Sequence, residues 1–145
     1  MNKRYFMLNP VLIRSVVSGL LLLLGLPAVA QSDTLTRRIV LIGDAGQLTN
    51  GRHPVVDAVK REIPRDEKTT ILFLGDNLYK SGLPDEQYVN YAKARAVLDS
   101  QVSVADNTLA RVYMIPGNHD WANGGKDGYN AILRQQLYVD FLGKK

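Results

Sequence analysis

The chain has 145 residues, a formal net charge of +4 and no cysteine. Its length allows a single domain at most. The lack of cysteine excludes disulfides, thiolate metal sites and acylation of an amino-terminal cysteine, so an exported form would fold without covalent staples.

The positive charge is concentrated at the start. Lys3, Arg4 and Arg14 precede an apolar run, Val16 to Leu26, and Pro27-Ala28-Val29-Ala30 follows with the small residues of a secretory cleavage site. An uncleaved membrane anchor is the alternative, but the run is shorter than the ~20 apolar residues that span a bilayer. Residues 1–30 are therefore expected to be a signal peptide removed after Ala30. The mature protein is expected to be secreted or periplasmic, with no membrane attachment. Without Lys3, Arg4 and Arg14 the net charge falls from +4 to +1. The basic balance of the whole chain thus gives no reason to expect a nucleic-acid partner.

Gln31–Thr36 is a polar lead. Arg37–Gly43 reads as a buried strand, apolar, β-branched and ended by glycine. After a loop over Asp44–Gly51, a helix is predicted for Pro54–Ile63, with proline in the first turn and Val55, Val56, Val59 and Ile63 at core spacing. His53, at its opening, is expected on the surface. Pro64–Lys68 is a polar turn and Thr69–Leu74 the second strand. A second helix is predicted from the Ser81–Glu86 segment, where proline and carboxylates suit a first turn, to about Val104. Its apolar side is Tyr88, Tyr91, Ala92, Ala94, Val97, Leu98 and Val102. Arg111–Ile115 is the third strand and Trp121–Gly128 a glycine-rich loop. Tyr129–Leu142 is an amphipathic helix with Ile132, Leu133, Leu137, Phe141 and Leu142 facing inward. This alternation predicts an α/β fold, a parallel or mixed sheet with flanking helices and right-handed crossovers. Ligands of such sheets bind beyond the carboxyl ends of the strands.

All three predicted strands stop at polar motifs: Gly43-Asp44-Ala45-Gly46, Gly75-Asp76-Asn77-Leu78-Tyr79 and Gly117-Asn118-His119-Asp120. Neighbouring strands lie ~4.8 Å apart, so Asp44, Asp76 and Asn118 could reach a common point. Two carboxylates that close would repel, and one would take up a proton, unless a cation lay between them. Oxygen donors suit hard metal ions. Tyr79 narrows the choice. A free phenol ionises only near pH ~10, and a ferric ion holds a tyrosinate far better than magnesium or calcium does. The alternative is that Asp44 and Asp76 cap turns while Tyr79 packs on the surface. His119 is a candidate general acid or phosphate contact, with Asp120 orienting its ring.

Together the three motifs resemble the first three motifs of the calcineurin-like metallophosphoesterase superfamily, in the form of its purple acid phosphatase-like branch. Most of the superfamily opens with Asp-x-His. Gly46 stands at that histidine's place here, and Tyr79 stands where the branch supplies a tyrosine instead. The resemblance covers roughly residues 37–145 and implies a two-sheet sandwich flanked by helices, of which about the first half is present. It implies that Asp44 and Tyr79 bind Fe(III), that Asp76 bridges it to a divalent ion (Fe, Zn or Mn), and that Asn118 binds that second ion. It also implies that His119 and Asp120 are catalytic, His119 contacting the substrate phosphate or protonating the leaving group with Asp120 behind it. The implied reaction is hydrolysis of a phosphate monoester, in a phosphorylated small molecule or a phosphoprotein. The family pattern continues with further histidine motifs, whereas no histidine follows His119. The expectation is therefore a domain truncated at its carboxyl end, with weak metal binding and little activity in isolation. A non-catalytic secreted module holding one cation is the alternative. A nucleotide-binding domain is disfavoured by the lack of Gly-x-Gly-x-x-Gly and of a phosphate-loop Gly-Lys-Ser/Thr.

Overall fold

Three short aliphatic runs become strands: β1 (Arg38–Ile42), β2 (Thr69–Leu74) and β3 (Arg111–Ile115). They form one sheet of order β1-β2-β3 with both pairings parallel. Helices α1 (Pro54–Glu62) and α2 (Tyr91–Val102) connect them, and α3 (Gly128–Leu142) follows β3. The computed structural model describes residues 35–143. The expected signal peptide and its cleavage point lie outside the described residues.

The register fixes which side chains share a face. Val40, Ile71 and Val112 form one row across the sheet, and Ile42, Phe73 and Met114 form another two residues along. This face carries the core: Ile42, Ile71 and Phe73 pack with Val56 and Val59 of α1 and with Val104. A second cluster joins Leu78 and Leu83, from the segment after β2, to Val97 and Leu98 of α2. The opposite face stays open among the described residues, with Ile39, Leu41, Tyr113 and Ile115 between 51% and 63% exposed. The fold is therefore α/β with helices packed on a three-stranded parallel sheet, and no second sheet occurs among the described residues.

Three local expectations are corrected. First, His53 is buried, only 4% exposed. Its Nε2 lies 2.8 Å from the Ala45 carbonyl oxygen, which can only accept. Its Nδ1 accepts from the Val56 amide at 3.4 Å. Those partners fix the neutral Nε2–H tautomer, so the ring caps α1 and ties it to the loop after β1.

Second, residues 81–90 are turns, and the helix begins only at Tyr91. Gly82 has φ +68°, and the Asp120 carbonyl occupies the space a side chain there would need. Asp85 accepts from the Gln87 amide at 3.2 Å, the turn geometry that competes with a helical first turn. Leu83 is buried by this arrangement and Tyr88 is exposed.

Third, α3 presents a different face. Leu137 and Phe141 are 67% and 53% exposed, while Gly128, Ala131 and Gln135 are buried. Gly128 lies against the Trp121 carbonyl and Ala131 against Gly82. The small residues make the closest approach, Ile132, Leu133 and Leu142 are half-buried as expected of an inward side, and Leu137 and Phe141 turn outward.

This one-sided core makes a paired prediction. Phe73→Ala should lower the unfolding free energy by about 3–5 kcal/mol. Leu41→Lys, on the open face, should change it by no more than about 0.5 kcal/mol. Urea denaturation monitored by circular dichroism compares them, and equal losses would contradict the assignment of faces.

Candidate metal centre

β1 and β2 both end in Gly-Asp, and both aspartates adopt a left-handed backbone, with φ +53° at Asp44 and +52° at Asp76. Aspartate is one of the few non-glycine residues that enter this region readily. Gly75 has φ +101°, and a Cβ there would come within 2.9 Å of the Gly117 Cα. The loops after β2 and β3 therefore touch glycine to glycine. This close approach lets Asp76 Oδ1 accept from the His119 amide at 3.1 Å.

The donors predicted from the sequence are brought to one end of the sheet. The Tyr79 hydroxyl donates to Asp44 Oδ1 at 3.0 Å. The Tyr79 and His119 rings meet edge to face with centroids 4.8 Å apart. His119 Nδ1 lies 2.8 Å from the Lys80 carbonyl oxygen, so Nδ1 carries the proton that is donated there. Nε2 is then the nitrogen free of that contact, and it lies 4.0 Å from Asp76 Oδ2. Asn118 donates through Nδ2 to Asn123 Oδ1 at 3.0 Å, which leaves its own Oδ1 as the atom able to serve a cation. Asn123 also donates to the Lys80 carbonyl at 3.0 Å.

Asp120 has a different place from the one expected. It is fully buried and does not orient His119. Oδ2 accepts from the Gly117 amide at 2.7 Å, the Asn77 amide at 3.0 Å and the Asn77 side chain at 3.3 Å. Oδ1 accepts from the Leu78 amide at 3.0 Å. Backbone N–H groups thus surround the carboxylate, and it clamps the loop after β3 to the loop after β2. In this arrangement Asp120 acts as a positioning residue for the two loops.

Two further positioning residues escaped the sequence reading. Gln101, on α2, donates through Nε2 to the Ala45 carbonyl at 2.7 Å and to the Asn77 carbonyl at 2.9 Å. It therefore joins the loop after β1 to the loop after β2. Its only sequence signal is a polar side chain on the apolar stripe that holds Leu98. Asn123, inside a stretch read only as a glycine-rich loop, fixes the amide of Asn118.

Electrostatics follow from this packing. Burial, and then the Asp44 carboxylate that accepts its proton, push the Tyr79 hydroxyl above the ordinary phenol value, and Asp76 and Asp120 add to the effect. A cation beside Asp44 and Tyr79 would act in the opposite sense, because it favours the phenolate. The donor set of carboxylates, phenol and amide oxygen suits a hard ion. Among the described residues no three His, Cys, Asp or Glu side chains converge on one point, so any such site depends on Tyr79 and Asn118.

The clamp can be tested by stability. Asp120→Asn would turn amide hydrogens toward backbone N–H donors and should cost about 2–3 kcal/mol. Gln101→Leu, which leaves the Asn77 carbonyl without that donor, should cost about 1–2 kcal/mol. Chemical denaturation measures both, and a neutral Asp120→Asn would refute the clamp.

The calcineurin-like phosphoesterase family model matches residues 37–144, a span that contains every residue of the candidate centre. Members of this family typically bind paired metal ions. Neither the curated proteins nor the solved structures yield a significant match to the chain. With a family match over most of its length and the matching strand-end motifs gathered at one end of a parallel sheet, the chain belongs to the calcineurin-like phosphoesterase family.

Proposed function

We propose that the protein is a phosphate monoester hydrolase of the purple acid phosphatase-like kind, exported by cleavage after Ala30, whose strand ends hold Fe(III) beside a divalent ion (Fe, Zn or Mn). The observation that carries this reading is the 3.0 Å hydrogen bond between Tyr79 and Asp44, a phenol and a carboxylate from different strand ends. Gly46 supports it. A side chain at residue 46 would place its Cβ 2.7 Å from both the Asp76 carbonyl oxygen and the Tyr79 nitrogen. A histidine there is therefore excluded by the backbone that positions Tyr79, and the two departures from the commoner Asp-x-His pattern depend on each other.

Asp44 and Tyr79 would hold the ferric ion, Asp76 both ions, and Asn118 the divalent ion through Oδ1. When bound, the ions supply Lewis acidity and charge neutralisation at the phosphoryl group. The chain's own contribution to proton transfer rests on His119. The Lys80 carbonyl holds its Nδ1–H, so Nε2 can hydrogen-bond a phosphate oxygen or hand a proton to the leaving oxygen. Asp120 acts only by keeping the two loops in register. The substrate is a phosphorylated small molecule or a phosphoprotein.

A second reading is a secreted module that holds one cation without turnover. It is favoured by the lack of three convergent His, Cys, Asp or Glu side chains among the described residues. Metal analysis, visible absorption and hydrolysis of an aryl phosphate separate the two. Two ions per chain with turnover supports the hydrolase, whereas one ion without turnover supports the module. In the hydrolase, Tyr79→Phe should abolish a visible phenolate–iron band. His119→Gln should keep that band and lower kcat by about 100-fold. A band that survives Tyr79→Phe would refute the role of Tyr79.

A further inference from the structure

Beside the candidate centre lies a cavity of about 280 Å3. Leu48, Ala94 and Val97 give it an apolar lining, and Lys80, Lys93 and Asn90 are among its polar residues. Gly46 and Tyr79 line it too, so it adjoins the residue that meets Asp44. No carboxylate belongs to its wall. Among the described residues, neither the Lys80 nor the Lys93 ammonium has a carboxylate within ion-pair distance. The Lys80 backbone is fixed in place, because its carbonyl accepts from His119 Nδ1 at 2.8 Å and from Asn123 Nδ2 at 3.0 Å. The Asn90 side chain makes no capping bond to α2, the helix it precedes.

Two cations on a concave, partly apolar wall with no counter-charge create a positive potential that an anion would relieve. The volume sits near the lower end of the ~300–1,000 Å3 typical of small-molecule pockets, and it suits a compact organic group better than a folded protein surface. We propose that this cavity receives the non-reacting end of the substrate, and that Lys80 and Lys93 select small phosphate esters carrying a second anionic group such as a carboxylate. This rests on the phosphomonoesterase reading for the role of the neighbouring centre.

Binding of two unreactive ligands, phenylphosphonate and 4-carboxyphenylphosphonate, tests it by calorimetry on the purified protein. The wild type should bind the carboxylated ligand about tenfold more tightly than the plain one. That ratio should fall to about unity in the Lys80→Gln/Lys93→Gln variant, and part of the way in Lys93→Gln alone. The single variant, at a position remote from the candidate donors, guards against a misfolded double variant. Equal affinities in the wild type, or a preference that survives the double substitution, would overturn the proposal. Hydrolysis of phenyl phosphate is measured alongside. A preference without turnover leaves the cavity assignment standing and removes the phosphomonoesterase reading, whereas turnover without a preference does the reverse.

Discussion

The arrangement of the candidate centre depends on one buried anion. The Asp120 carboxylate sits in the interior and makes no ion pair among the described residues, held by the amides of Gly117, Asn77 and Leu78 and by the Asn77 side chain. An ionised carboxylate left unpaired in such a place would cost several kcal/mol, so these four bonds are a condition of the fold. Together with the Asp76–His119 amide bond and the bonds of the Lys80 carbonyl to His119 and Asn123, they set Asp76 and Tyr79 against Asn118 and His119. Gln101 repeats the device between the loops after β1 and β2. The strands bring their ends near one another, and a small polar core fixes the loops.

This division explains what could be read from the amino acids. Strands announced themselves as aliphatic runs stopped by Gly43, Gly75 and the Pro116-Gly117 pair, and they fall within one residue of expectation. The carboxyl-end location of Asp44, Asp76, Tyr79, Asn118 and His119 followed from the alternation of strands and helices. Helix details were less accessible. The start of α2 was decided by an Asp120 carbonyl packed on Gly82, and the face of α3 by Gly128 and Ala131, contacts between residues far apart in the chain. The polar supports were the least legible of all. His53, Gln101, Asp120 and Asn123 bond mainly to backbone groups of other loops, and such pairing leaves no periodic trace.

Gly46 shows how an absent side chain can shape a site. The backbone of residues 76–79 packs so closely on it that the Tyr79 amide donates to the Gly46 carbonyl at 3.1 Å. The same contact sends the phenol toward Asp44 and places Tyr79 and Gly46 in the wall of the neighbouring cavity. Lys80 couples the two regions from the other side, since its carbonyl fixes His119 while the residue itself lines the cavity. Centre and cavity thus share one continuous segment, residues 79–80, and would not vary independently.

The left-handed backbone at Asp44 and Asp76 restricts the chemical alphabet those positions can use. Glycine enters that region without cost and asparagine with little, while alanine and glutamate are disfavoured by their Cβ contacts. A replacement by alanine therefore removes a charge and distorts a turn at the same time, and its effect cannot be credited to either. Asparagine separates the two, keeping the turn and one oxygen donor while deleting the charge. Over evolutionary time the same constraint would steer drift at these sites toward asparagine or glycine, so the shape of the strand ends could outlast their capacity to hold a metal.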